Sequence, residues 1–125
     1  MANTVAEMGL ARSGGSKVLK IYETSAANTA VTVSTPTDRN RILRLLAVYV
    51  KYSTNVTKNV TVTYNAGHGA AYDTLHQTFA LAATDEGVFV PDEAVYIHPT
   101  DAYDVTAEAG GGGVTCAVTV VCLEY

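Results

Sequence analysis

The stretch that decides the fold is VTVTYNAGHGAAYDTLHQTFAL, residues 60–81. Valine and threonine alternate up to Tyr64, a pattern typical of a half-buried β-strand. Gly67 and Gly69 follow, and residues 72–81 then fit either a helix or a second strand. A strand, a glycine-rich loop and a helix would form a nucleotide site, whereas two strands and a turn would form a hairpin without such a site.

The residues of this stretch favour the hairpin. In the dinucleotide-binding fingerprint G-x-G-x-x-G the third glycine lets the helix pack closely, but Tyr72 occupies that position. No lysine follows, so a Walker loop is excluded as well. Thr74 and Thr78 are β-branched, which favours a strand. A helix remains the alternative, because Tyr72, Leu75 and Phe79 also have helical spacing.

The rest of the chain has the composition of a β protein. Its 125 residues include 17 valines, 17 threonines and no tryptophan. Eight or nine short strand-like stretches recur at roughly 8–12 residue spacing, with turn residues between them. We therefore predict an all-β fold, an antiparallel β-sandwich of jelly-roll-like type, as a single domain at residues 17–125. Residues 1–16 are small, polar and glycine-containing, so we predict an extended N-terminal arm there.

The segment RILRLLAVYVKY, residues 41–52, is the most apolar of the chain. Its apolar residues occupy both alternating sets of positions, which predicts a central strand covered on both sides. A single thin sandwich covers only one side of such a strand. We therefore expect the protein to associate with itself.

Two cysteines, Cys116 and Cys122, lie six residues apart in the last apolar segment. In an extended strand at ~3.3 Å per residue they are about 20 Å apart. A disulfide requires Cα atoms within about 7 Å, so the two cannot pair within one chain. We predict that both are buried free thiols, because such residues behave as small hydrophobic side chains.

Charge is unevenly distributed along the chain. All eight Lys and Arg residues precede residue 59, where only three acids lie, and the remaining nine acids follow without any Lys or Arg. The net charge of −4 and this pattern disfavour a nucleic-acid partner, which would require a dominant basic face. The pattern fits better a protein whose basic first half contacts an acidic surface of a neighbouring subunit. We predict that Arg12, Lys17 and Lys20 bind the partner.

The sequence contains no recognisable catalytic or metal-binding pattern. His68, Asp73 and His76 are close in sequence, but on a strand Asp73 and His76 point to opposite faces. No serine lies in a G-x-S-x-G frame, and no helical pair of histidines suggests a metal. We predict a protein that is not an enzyme, with no catalytic residues, no metal and no cofactor.

No apolar run approaches the roughly 20 residues needed to cross a bilayer. The N-terminus shows no basic region followed by an apolar one, so we see no secretory signal. We therefore expect no membrane partner and synthesis in a cytoplasm.

The order of motifs resembles a known class of proteins. An apolar strand with basic flanks precedes VTVTYNAGHGAAYDTL, and an aliphatic strand, VFVPDE and a glycine-rich last hairpin follow. Over residues 41–121 this resembles small β-sandwich virion proteins of tailed bacteriophages. The resemblance implies a capsid decoration (cement) protein, often a homotrimer, that binds and stabilises the head lattice. It also implies location in the virion, synthesis in the host cytoplasm and a capsid or other virion protein as partner.

The alternative function is a carbohydrate-binding or host-adhesion β-sandwich module of a tail or spike. Such a module requires exposed aromatic residues on one face or in a cluster of loops. Four of the eight tyrosines lie inside predicted strands: Tyr22, Tyr49, Tyr52 and Tyr64. The other four remain candidates for a binding face: Tyr72, Tyr96, Tyr103 and Tyr125.

Overall fold

The structure is a computed structural model that describes residues 4–9, 17–37 and 40–125. Within these ranges the chain is built from strands and one short 3-10 turn at Ala70–Tyr72. The eight strands are β1 Thr4–Gly9, β2 Lys17–Thr24, β3 Val31–Ser34, β4 Leu43–Asn65, β5 Thr74–Phe89, β6 Val95–Ile97, β7 Ala102–Ala107 and β8 Cys116–Glu124. All strand pairs are antiparallel, so the predicted all-β class is confirmed.

The long strand β4 organises the sandwich. The hydrogen-bonded order is β1-β2-β8-β4-β7-β3, and β5 and β6 also pair with β4. The first half of β4 pairs with β8 and the second half with β7, so the sheet folds over along this one strand. Register shifts between Lys51 and Lys58 mark the place where it bends. The result is the predicted antiparallel sandwich, with a barrel-like closure.

The core lies between the two layers that β4 connects. Its aliphatic members come from both layers and include Leu19, Ile21, Val33, Val48, Val60, Val105 and Val120. Cys116 and Cys122 are buried free thiols within this core, as predicted. Burial raises the pKa of Cys122 to about 12, because the thiolate would lose its hydration there.

A one-residue irregularity in β4 corrects the prediction that residues 41–52 are covered on both sides. The register with β8 shifts between Leu45 and Ala47. Leu43 and Leu45 are buried before this bulge, and the alternation resumes with Val48 buried after it. Because a bulge moves the following residues to the other face, the strand turns one apolar side inward along its whole length. The alternating valines and threonines that end at Tyr64 belong to the second half of the same β4.

Residues 60–81 form the predicted hairpin, and the alternative helix is wrong. β5 pairs with β4 from Tyr64↔Thr74 to Val48↔Phe89. Gly67 and Gly69 lie in the connection, which contains the 3-10 turn at Ala70–Tyr72 but no α-helix to place beside a phosphate. Within the described residues, no helix has the length and apolar character that a bilayer crossing requires.

The connection of this hairpin is fastened to the β6–β7 connection. The backbone N–H of Gly67 donates to Asp101 Oδ1 at 2.7 Å, and the Tyr64 hydroxyl donates to the other oxygen of the same carboxylate. A Cβ atom at Gly67 would lie 2.7 Å from the carbonyl oxygen of Thr100. Glycine is therefore needed at residue 67 because two connections approach each other closely there.

Part of the predicted N-terminal arm belongs to the sheet. Thr4–Gly9 forms β1 and pairs with β2, from Thr4↔Tyr22 to Gly9↔Lys17. The rest of the predicted arm, including Arg12, lies outside the described residues. The boundary between the arm at residues 1–16 and the domain stays a prediction.

Candidate functional site

An open cleft lies at one end of the sandwich, between β5 and the segment that connects β5 with β6. We call it the mouth cleft; its volume is about 570 Å³. It is lined by His76, Gln77, Phe89, Pro91, Asp92, Glu93, Ala94, Val95, Tyr96 and Tyr103. The lining combines aromatic rings with two carboxyl groups and one amide, a mixture that can both stack on a ligand and hydrogen-bond to it.

One wall of the mouth cleft is a continuous row of rings. The ring centroids of Tyr103 and His76 lie 5.4 Å apart, and those of His76 and Phe89 lie 6.3 Å apart. Phe79 stacks behind Phe89 at 5.9 Å and packs against the core. Packing against Phe79 and the core therefore restrains the row, so its rings lose less conformational entropy when a ligand binds.

A second candidate surface is the outer face of the sheet formed by β2, β8, β4 and β5. Tyr22 and Tyr49 each lie opposite Thr119, and Tyr49 also lies opposite Val88. Tyr22 is 41% exposed, Tyr49 47% and Val88 58%. We call the row Tyr22, Thr119, Tyr49 and Val88 the outer patch. Large apolar side chains that are contiguous and exposed mark interaction sites on protein surfaces.

Sequence reasoning had set Tyr22 and Tyr49 aside because they lie inside strands. The structure shows that both point outward, so they belong with the exposed tyrosines. The signal was present in the alternation, since Tyr22 follows buried Ile21 and Tyr49 follows buried Val48. Of the four tyrosines kept as candidates, Tyr103 is buried, whereas Tyr72, Tyr96 and Tyr125 are exposed.

The third candidate surface is the free side of β5. Among the described residues β5 pairs only with β4, so its other edge has no partner there. Residues 74–78 are exposed without interruption, and residues 74–84 include no Asp, Glu, Lys or Arg. We call this segment, residues 74–84, the hairpin edge. Leu75 at its start is 59% exposed.

The structure describes two of the three predicted partner-binding residues, and these two lie on opposite faces of β2. Lys20 is exposed on the same face of β2 as Tyr22, next to the outer patch. Lys17 has the opposite parity and lies opposite Glu124 on β8. Arg12 lies outside the described residues, so a shared role in binding stays a prediction.

The histidines occupy three separate environments. The His68 ring contacts Tyr72 at a centroid distance of 5.9 Å, and His98 Nδ1 lies 2.9 Å from Thr100 Oγ1. His76 lines the mouth cleft, whereas Asp73 accepts a hydrogen bond from the backbone N–H of Ala66 at 2.9 Å. In the described part of the chain, no group of three His, Cys, Asp or Glu side chains is placed to hold a metal ion.

Comparison with known proteins does not assign the chain to a family. No family model matches it, and no curated protein matches it significantly. Among solved structures it is similar to a carbohydrate-binding module from Cellvibrio mixtus lichenase 5A in complex with cellotriose. The identity is 15%, the TM-score is 0.27, and the match covers 96% of this chain and 88% of that chain. A TM-score this low supports no argument about fold or function.

Proposed function

We propose that the protein is a non-enzymatic structural subunit that works by binding other protein subunits. The observation that supports this is the hairpin edge, a long uncharged strand edge that no described residue covers. From the sequence resemblance, we further propose that the assembly is the head of a tailed bacteriophage, where the protein decorates the capsid. Binding to the assembled lattice and not to its separated parts would stabilise the lattice by mass action.

The hairpin edge is unusual for a protein that remains alone. Monomeric β proteins protect their edge strands with charged residues, prolines or short lengths, because free N–H and C=O groups recruit other strands. Here 11 consecutive residues, 74–84, include no Asp, Glu, Lys, Arg or Pro. The first five are also exposed, so burial contributes little to holding them in place. A subunit that pairs with this edge supplies the missing hydrogen bonds and covers the strand.

The proposal is tested by placing a charge on the hairpin edge. Thr78 and Thr32 lie in one row across β5, β4, β7 and β3, at its two opposite ends. Both are exposed, so Thr78→Lys and Thr32→Lys are matched changes on the same face. We expect Thr78→Lys to weaken subunit association by about tenfold or more and Thr32→Lys to leave it nearly unchanged.

The measurements are sedimentation equilibrium of the purified protein and its retention on capsids. The capsids are heads of a tailed bacteriophage assembled without a decoration protein. Sedimentation also tests the predicted trimer. Equal behaviour of the two variants in both measurements would refute a role for the hairpin edge. If the protein is not retained on capsids at any salt concentration, the proposed capsid role is refuted. Self-association is then tested by sedimentation alone.

The outer patch favours a second candidate function, binding of an extended carbohydrate. Exposed aromatic residues on one face are what the carbohydrate-binding alternative requires, and Tyr22 and Tyr49 meet this requirement. Two strand spacings separate them, which is about 10 Å and suits stacking on two sugar rings of one chain. A glycan array tests this function. We expect Tyr49→Ala to abolish any signal and Tyr72→Ala, an exposed tyrosine away from the patch, to preserve it.

A further inference from the structure

The mouth cleft combines aromatic rings with negative charge. His76, Phe89, Tyr96 and Tyr103 contribute rings, and Asp92 and Glu93 contribute carboxylates. Of the described residues that line it, none is Lys or Arg. Neither Asp92 nor Glu93 forms an ion pair with another described residue, and both are exposed. The cleft therefore presents a negative potential that this part of the chain leaves uncompensated.

Rings and carboxylates attract the same kind of ligand. The face of an aromatic ring carries partial negative charge and attracts a cation within about 6 Å of its centroid. A carboxylate beside the ring adds a direct charge interaction, and a guanidinium can engage it with two hydrogen bonds. A neutral ligand would gain binding free energy from the rings alone, whereas a cation gains it from both the rings and the carboxylates.

Among the described residues, one positive charge lies opposite a cleft residue in the sheet register. Arg44 on β4 lies opposite Tyr96 on β6. Interaction with the Tyr125 side chain raises the pKa of Arg44, so this charge is directed to Tyr125. Tyr96 itself is 55% exposed, and its ring contacts Tyr125 at a centroid distance of 6.2 Å.

We propose that the mouth cleft binds an organic cation, a guanidinium or alkylammonium group, between its ring wall and the Asp92 and Glu93 carboxylates. This site goes beyond the subunit role of the hairpin edge and does not depend on it. The group can belong to a free small molecule or to a basic side chain. A second copy of the chain offers such side chains, because all eight Lys and Arg residues precede residue 59 and the cleft residues all follow it.

The test titrates the whole protein with Nα-acetyl-arginine amide (arginine amide below) and, in parallel, with Nα-acetyl-citrulline amide (citrulline amide below), while backbone amide resonances are followed by NMR. Acetylation removes the α-ammonium charge of both compounds, so the citrulline compound is an uncharged isostere of the arginine compound. We expect arginine amide to shift the resonances of residues 89–96 and of His76 saturably, at millimolar concentration. Citrulline amide should shift them at least fivefold more weakly. Equal binding of both amides, or no saturable shift, would overturn the proposal.

Matched variants locate the site. Asp92→Asn with Glu93→Gln should weaken arginine amide binding by roughly tenfold at low salt, and Tyr96→Leu by roughly threefold. Glu86→Gln removes an exposed carboxylate outside the cleft and should leave binding unchanged. Because all these residues are exposed, the amide spectrum of each variant should otherwise match that of the parent protein. Equal loss in Glu86→Gln would show a general charge effect and would also overturn the site.

A further measurement identifies the source of the cation. Sedimentation equilibrium is repeated with saturating arginine amide and with the same concentration of citrulline amide. If arginine amide alone weakens self-association, the natural occupant is a basic side chain of a second copy. If self-association is unaffected while arginine amide still binds, the site takes a free cation or a side chain of another protein. A cellotriose titration that shifts the same resonances more strongly would instead assign the cleft to carbohydrate.

Discussion

Tyr22 on β2 and Tyr49 on β4 lie on either side of Thr119, and each is directly opposite it in the sheet. Residues in one row of neighbouring strands point to the same face. The two tyrosines are therefore side by side on the outside of the sandwich although 26 positions separate them in the chain. This relationship forms the outer patch, and it distinguishes tyrosines that hold the fold together from tyrosines available for binding.

Tyr49 and Tyr52 on β4 should respond very differently to truncation. Tyr52 is fully buried and its hydroxyl donates to the carbonyl of Glu108 at 2.6 Å, whereas Tyr49 is 47% exposed. We expect Tyr52→Ala to lower the free energy of unfolding by about 3–5 kcal/mol through the cavity it leaves. Tyr49→Ala should change it by about 0.5 kcal/mol or less. Urea denaturation measures both, and similar losses would contradict the assigned faces.

Gly67 should not tolerate a side chain. Its Cβ would lie 2.7 Å from the carbonyl oxygen of Thr100, which belongs to the backbone and cannot move aside easily. We expect Gly67→Ala to lower the free energy of unfolding by about 1–3 kcal/mol. The control is Gly112→Ala, where a Cβ meets no atom within 4 Å. Thermal denaturation of both variants checks this, and an unchanged midpoint for Gly67→Ala would refute the close approach.

Asp101 should make the protein sensitive to acid. A hydrogen bond from the Tyr64 hydroxyl, followed by one from the Gly67 N–H, lowers the pKa of Asp101 below 3.8. A carboxyl group with a lowered pKa stabilises the fold above its unfolded pKa, and the contribution is lost as pH falls through the folded value. We expect Asp101→Asn to be less stable at neutral pH, with a flatter loss of stability below pH 4. Denaturation series from pH 7 to pH 2 test this; parallel curves for the two proteins would contradict it.

The thiols should be inert in the folded protein and should couple stability to alkaline pH. Burial raises the pKa of Cys122 from 9.0 to about 12, so the neutral thiol is favoured in the folded state. A group with a raised pKa contributes stability that is present below pH 9 and lost as pH rises towards 12. A thiol reagent should react slowly with native protein and with two groups after denaturation. Fast native reaction, or an intrachain disulfide in mass analysis, would refute the burial.

The hairpin at residues 60–81 was predictable because local patterns agreed. Alternation up to Tyr64, a tyrosine where a phosphate loop needs glycine, and β-branched residues at Thr74 and Thr78 all favour strands. The same period-two pattern and the extended spacing of Cys116 and Cys122 predicted two buried thiols. Such features depend on neighbouring residues alone, so one sequence suffices to find them.

The bulge at residue 46 was not predictable, because it follows from how β4 pairs with β8 and not from any residue of RILRLLAVYVKY by itself. Without the bulge, apolar residues occupy both alternating sets of positions, and the pattern predicts that both faces of the strand are buried. The pairing of distant strands likewise decides that His76, Phe89 and Tyr103 meet in one cleft.

The sequence by itself determined the all-β class, the hairpin and the buried cysteines, because strand periodicity and extended spacing are local. Only the tertiary structure decided which face of β4 turns inward, which tyrosines are exposed and that β5 has β4 as its one partner among the described strands. The physical reason is that registers, bulges and strand neighbours are set by contacts between residues far apart in the chain. Strands adopt the pairing that buries their apolar faces in a common core.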